Sequence, residues 1–137
     1  MDEREKQIRE LAAEATWQQQ QAKDIQGQLQ NLQMIEIEIS KTTEALKNLK
    51  EEKISLFNLG SGVFVKGELK DINSLLINVG GNVLIEKDIE STLQFLEERR
   101  KEINEAKDDL LKSMQMISTR LKEIDTEARR LIKKGEK

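Results

Sequence analysis

The sequence predicts a mainly α protein with a small β segment: a long antiparallel coiled-coil hairpin carrying β-hairpins at its closed end. Three observations carry that expectation. Apolar residues recur at heptad spacing near both ends, the centre switches to a period of two among glycines and β-branched residues, and none of the 137 residues is proline. The chain accordingly divides into an N-terminal coiled-coil helix (1–55), a β-hairpin oligomerisation segment (56–87) and a C-terminal coiled-coil helix (88–137).

The C-terminal seam steps by four and three through Ile89, Leu93, Leu96, Arg100, Ile103, Lys107, Leu110, Met114, Ile117, Leu121, Ile124, Ala128 and Leu131. Only Arg100 and Lys107 interrupt its apolar character. The N-terminal seam reads Ile8, Leu11, Ala15, Gln18, Ala22, Ile25, Leu29, Leu32, Ile35, Ile39, Thr42, Leu46 and Leu49. Two steps of three meet at Leu32, which predicts a stammer that locally overwinds the coil and sets Glu36 beside the seam. An antiparallel alignment brings Leu11 to Leu131, Ile25 to Ile117, Leu32 to Leu110, Ile39 to Ile103 and Leu49 to Leu93. Lys107 then either pairs with Glu36 or snorkels to water along its aliphatic stem.

Composition narrows the class. Aromatics at 3% cannot fill a large globular core, whereas charged residues at 36% suit long solvated helices. Gly27 is a tolerated cost of about 1 kcal/mol within the first arm. With no cysteine there is no disulfide framework and no thiolate metal site, and with no histidine the commonest metal ligand and acid–base residue is missing. A reducing, cytoplasmic setting follows, with no secretory core and no membrane span. The net charge of −3, mixed along both arms, argues against nucleic acid as a partner. The basic terminus of Arg129, Arg130, Lys133, Lys134 and Lys137 either docks an acidic surface or complements the helix dipole.

In the centre, Val63, Val65 and Leu69 alternate with Phe64, Lys66 and Glu68 as one strand. Leu75, Ile77 and Val79 are the inward residues of a second, and Val83 and Ile85 share a face of a third. Leu56 to Leu59 offers a short fourth. Gly80-Gly81 signals a tight turn because both residues accept positive φ, and Lys70 to Ser74 is a looser connection. So little sheet cannot cover its own apolar faces or edges, so oligomerisation through these strands is expected. The glycine-rich GSG at Gly60 lacks the Gly-Lys-Ser/Thr of a P-loop and leads into a strand. The carboxylate pairs Glu97-Glu98 and Asp108-Asp109 read as solvated helix surface. No catalytic residue, metal site or cofactor is expected, and the chain is not read as an enzyme.

The run LGSGVFVKGELKDINSLLINVGGNVLIEKDIE, set between heptad arms of equal length, resembles the central β segment of α-class subunits of prefoldin, the hexameric chaperone of archaea and eukaryotes. Enough strand for two hairpins resembles the α class rather than the β class, which carries one. The family often places a proline before the leucine-glycine pair, where this chain has Phe57-Asn58. The resemblance implies a double β-barrel platform built by two such chains with four β-class chains. It further implies that non-native polypeptide is held without ATP between the coiled-coil tips and passed to a group II chaperonin. A structural prefoldin-like chain that forms filaments through its hairpins is the alternative.

Independently of the resemblance, the open ends of the arms are where seam packing stops, and several weak apolar tips would hold an unfolded client by avidity. The residues there are Ile8, Leu11, Ala12, Ala15, Leu131 and Ile132. Trp17 lies off the seam in the run WQQQQ. It is either exposed for client capture or folded against Ala13 or over the Gln18 defect in the seam.

Overall fold

Two helices and four short strands follow one another in the order α1, β1, β2, β3, β4, α2. The computed structural model describes residues 2–49 and 54–135. Residues 50–53 of the expected N-terminal helical segment, and Lys137 of the basic terminus, lie outside the described residues. Helix α1 spans Glu3–Lys47 and α2 spans Ile89–Gly135. Gly27 sits within α1 without interrupting it.

Both helices start on an aspartate. The carboxylate of Asp2 accepts the Glu5 N–H at 2.8 Å, and that of Asp88 accepts the Ser91 N–H at 2.7 Å. Each bond satisfies a first-turn donor that has no partner inside the helix. The backbone and side-chain bonds from Ser91 hold the Asp88 carboxyl below its ordinary range. Buried Thr92 donates its hydroxyl to the Asp88 carbonyl at 2.7 Å, tightening the same turn.

The chain divides into two units, residues 1–35 with 103–137 and residues 36–102. In the first, α1 and α2 pair antiparallel: Leu11 and Leu131 line one groove, Ile25 and Ile117 a second, Leu32 and Leu110 a third. Arg4, near the start of α1, lies against Gly135 at the end of α2. The buried side chains are heptad residues, among them Ile25, Ile103, Ile117, Ile124 and Leu131. Burying one such aliphatic side chain contributes about 1.5–3 kcal/mol, and the seam residues between them, such as Leu29, Leu32 and Leu110, are half-buried and contribute less.

The expected stammer is absent. Ile35 is 43% exposed, Glu36 is half-buried, and Ile39 is buried at 7%. Thr43 rather than Thr42 turns inward after it. The seam therefore runs on in strict heptad phase through Leu29, Leu32, Glu36, Ile39, Thr43 and Leu46. The helix keeps its period and tolerates a carboxylate in the stripe, because leaving phase would misplace every later seam residue.

In the second unit, β1 (Ile54–Gly60) pairs antiparallel with β2 (Val63–Glu68), and β3 (Leu75–Asn78) with β4 (Leu84–Lys87), as two separate two-stranded sheets. The first strand is longer than alternation alone suggested, beginning at Ile54. The second is shorter: β2 ends at Glu68, so Leu69 is outside it, and the face of Val63 and Val65 ends at Gly67, which has no side chain to fill it. The Phe57 ring fills that gap, approaching to 2.9 Å of where a Cβ on Gly67 would stand.

The second hairpin turns one residue later than expected. Val83 N–H donates to the Gly80 carbonyl at 3.0 Å, and the two residues between, Gly81 (φ 57) and Asn82 (φ 62), are both left-handed. That is the type I′ requirement, which asparagine meets almost as readily as glycine. The first hairpin repeats the arrangement with Ser61 (φ 53) and Gly62 (φ 79). At the start of α2, Lys87 and Arg99 hold their charges 5.4 and 5.6 Å from the centre of the Phe95 ring.

Candidate functional site

Two surfaces carry apolar side chains that the chain itself leaves uncovered. The first is the pair of hairpins. In the first hairpin, register puts Phe57 and Val65 on one face and Leu56 and Phe64 on the other, and all four are exposed. In the second, Ile77 and Ile85 share a face, with Leu76 and Leu84 opposite. Leu75 and Ile77 are half-buried, whereas Val63, Val79, Val83 and Ile85 are exposed. Of the residues expected to mediate oligomerisation, Val63, Val65, Leu75, Ile77 and Ile85 lie within the strands, while Leu69, Val79 and Val83 lie just outside them. The opposite faces carry Leu56, Phe64, Leu76 and Leu84, all exposed. Phe64 and Leu84 stand on the faces that alternation sets opposite Val63, Val65, Val83 and Ile85, and their exposure shows that those faces are uncovered too.

The second surface lies on the helix pair of the first unit. Ile8, Leu11 and Ala15 are half-buried in the seam, and Ala12 and Ile132 are exposed beside it. Leu131 is only 6% exposed, so it belongs to the packed seam rather than to an available end. Helix α2 continues past it to Gly135. Trp17 is 59% exposed and lines a groove of about 470 Å³ together with Gln18, Ile25, Met116 and Ile117. Met116 is also exposed, off the heptad stripe. The signal for it was an apolar residue at a position the helix turns outward.

The groove has a polar wall. Arg120 donates to both carboxylate oxygens of Glu14, at 2.6 and 2.7 Å, and also to Glu123 at 3.2 Å. These bonds hold the Glu14 carboxyl below its ordinary range and raise the Arg120 guanidinium further. Glu97, one of the adjacent carboxylates noted in the sequence, is bound by Arg100 at 2.7 Å on the helix surface and is likewise held down. Among the described residues no group of His, Cys, Asp and Glu could hold a metal ion. Among the described residues no helix is long and apolar enough to cross a membrane.

A family model described as "Prefoldin subunit" matches residues 18–134, which take in both hairpins, α1 from Gln18 onward and nearly all of α2. The chain belongs to the prefoldin family. Among its relatives, the prefoldin subunit alpha of Archaeoglobus fulgidus is 29% identical over 126 residues, spanning 90% of this chain and 92% of that protein. The prefoldin subunit alpha of Pyrococcus horikoshii is 36% identical over 110 residues, spanning 77% and 74%. The fold is shared with a solved structure, the cryo-EM structure of filamentous PFD from Methanocaldococcus jannaschii. It has a TM-score of 0.74 at 19% identity, over 84% of this chain and 98% of that one. Membership of the prefoldin family makes this chain a chaperone subunit that assembles with other prefoldin subunits.

Proposed function

We propose that the chain is the α-class subunit of an ATP-independent holdase, which binds non-native polypeptide on its helix pair and passes it to a group II chaperonin. Two such chains would combine in the cytoplasm with four β-class subunits through the hairpins, forming a hexamer. The observation that carries the client-binding part is the exposed apolar set of Trp17, Met116 and Ile132 on a helix pair whose seam is already closed. Such side chains have no partner to find within the coil, and an unfolded chain offers apolar contact without fixed shape. Each contact is weak, so retention would come from several subunits acting together. Ile8, Leu11, Ala12, Ala15 and Leu131 would contribute when the helix ends open.

The test is aggregation of a diluted unfolded protein, with and without the chain assembled with a β-class partner, in the absence of nucleotide. Suppression by the assembly is expected. Removing residues 1–10 together with 129–137 should leave assembly intact and reduce suppression. Full protection by the trimmed assembly would exclude Ile8, Leu131 and Ile132 and place client binding deeper along the helices, at the Trp17–Met116 groove, or in the partner subunits.

A second reading, a structural chain polymerising through its hairpins, is favoured by one observation: the Methanocaldococcus jannaschii protein of like fold is filamentous. Concentration-dependent filaments of this chain alone, in place of a discrete hetero-oligomer, would favour it.

A further inference from the structure

Peroxide chemistry on this chain is confined to a few side chains. With no cysteine, no histidine and no tyrosine, the oxidisable groups are four methionines and Trp17. The three internal methionines stand in different surroundings. Met114 is half-buried on the seam. Met34 is 68% exposed on α1, about 25 Å along the helix from Trp17 at the rise of an α-helix. Met116 is 72% exposed, more than any other large apolar side chain among the described residues, and lies in the groove that Trp17, Gln18, Ile25 and Ile117 line. The methionine most open to an oxidant is thus also the one set where a client would rest.

We propose that Met116 is a reversible oxidation site that sets how firmly the groove holds a non-native chain. The oxidant is a peroxide. The thioether sulfur donates an electron pair to one peroxide oxygen, an S–O bond forms as the O–O bond breaks, and the departing hydroxide takes up the proton left on the transferred oxygen. Sulfur loses two electrons, the peroxide gains them, and the products are the sulfoxide and water. In the return reaction, catalysed by a sulfoxide reductase, two thiols supply the electrons and become a disulfide, and the oxygen leaves as water. The chain has no thiol of its own for either reaction to change.

A thioether is a soft apolar partner for aliphatic and aromatic side chains of a client. The sulfoxide is polar and holds water, which an apolar client side chain must strip away at a cost. The coil itself bears no such cost. Met116 stands off the heptad stripe, and the buried Ile25 and Ile117 keep their packing beneath it. Assembly therefore survives oxidation while retention of a client falls. This rests on the reading of the Trp17 groove as a client surface and adds its regulation.

In the test, the full chain is oxidised with hydrogen peroxide, freed of it, and mixed with an untreated β-class partner, so that only this chain is altered. Peptide mass spectrometry reads each methionine, and aggregation of a diluted unfolded protein reads protection. M116L and M34L are treated alongside, each compared with its own untreated sample. Met116 should gain oxygen well before Met114, and protection by the parent and by M34L should weaken about twofold to tenfold at unchanged assembly mass. M116L should show no change on oxidation, and a sulfoxide reductase with a thiol should restore the parent. Unaltered protection with Met116 fully oxidised, an equal loss in M116L, a loss that follows from dissociation of the assembly, or Met116 oxidised no faster than Met114 would overturn the site. An untreated assembly that does not protect would overturn the chaperone reading itself, and the site with it.

Discussion

Arg120 on α2 grips Glu14 on α1 by two hydrogen bonds, 2.6 and 2.7 Å long, and so ties the two helices together beside the Trp17 groove. The pair is half-exposed and lies outside the apolar seam. Its role is to fix the alignment of helices that the seam already holds.

The first prediction is a pH dependence of that tie. Arg120 lowers the folded-state carboxyl of Glu14, chiefly by hydrogen bonding to it. The stabilisation is therefore complete above the ordinary carboxylate range and is lost as pH falls through the depressed folded value. Glu14→Gln should melt earlier than the parent at neutral pH, and the gap should close in acid. A gap that is independent of pH between neutral and strongly acid solution would contradict it.

The second concerns heptad phase. Ile39→Ala removes a buried seam residue and should cost about 2–5 kcal/mol, whereas Ile35→Ala at an exposed position should cost less than about 1 kcal/mol. Urea unfolding of the two variants in the same assembly state decides it. Equal losses would restore the stammer at Leu32.

Ile35 and Glu36 also show where legibility ended. The C-terminal seam could be read straight from the sequence because its out-of-place residues, Arg100 and Lys107, have no large aliphatic residue beside them to tempt the register away. At Leu32 an isoleucine stands next to a glutamate, and counting apolar residues favours Ile35, although the helix holds its phase. Alternation marks both faces of the strands, but which face carries the inward residues cannot be read from it, because both faces are apolar and largely exposed. The repeat of one hairpin by the other hides behind substitutions such as Phe57 for Ile77 and Ser61 for Gly81, and becomes visible through register and φ. The exposed Met116 and the Glu14–Arg120 tie depend on which flank of each helix faces the other, which spacing on a single helix does not show.

The third prediction follows from the turns. Nothing stands within 4 Å of a Cβ built on Gly62, so a side chain there meets only the backbone cost of φ 79. Gly62→Ala should destabilise the hairpin by about 1–2 kcal/mol, and Asn82→Gly should be neutral or stabilising. Amide hydrogen exchange in the two hairpins reads each effect locally. Equal protection in the parent and Gly62→Ala would contradict the left-handed turn.

The fourth uses Trp17 as its own probe. An indole this exposed should emit at the red end of the tryptophan range and move to the blue when an unfolded polypeptide covers it. No shift on adding unfolded protein to the assembled chaperone would count against a direct role. Met116→Ser should reduce the shift, because the methionine shares the groove.

The central claim is that the hairpins, and not the helix pair, hold the assembly together. It is tested most directly by the mass in solution of V65D/I77D mixed with a β-class partner, recorded beside its far-UV circular dichroism. An unpaired carboxylate buried in an interface costs several kcal/mol. The account predicts loss of the oligomer with helical content nearly unchanged; a full-sized oligomer from the double variant would contradict it.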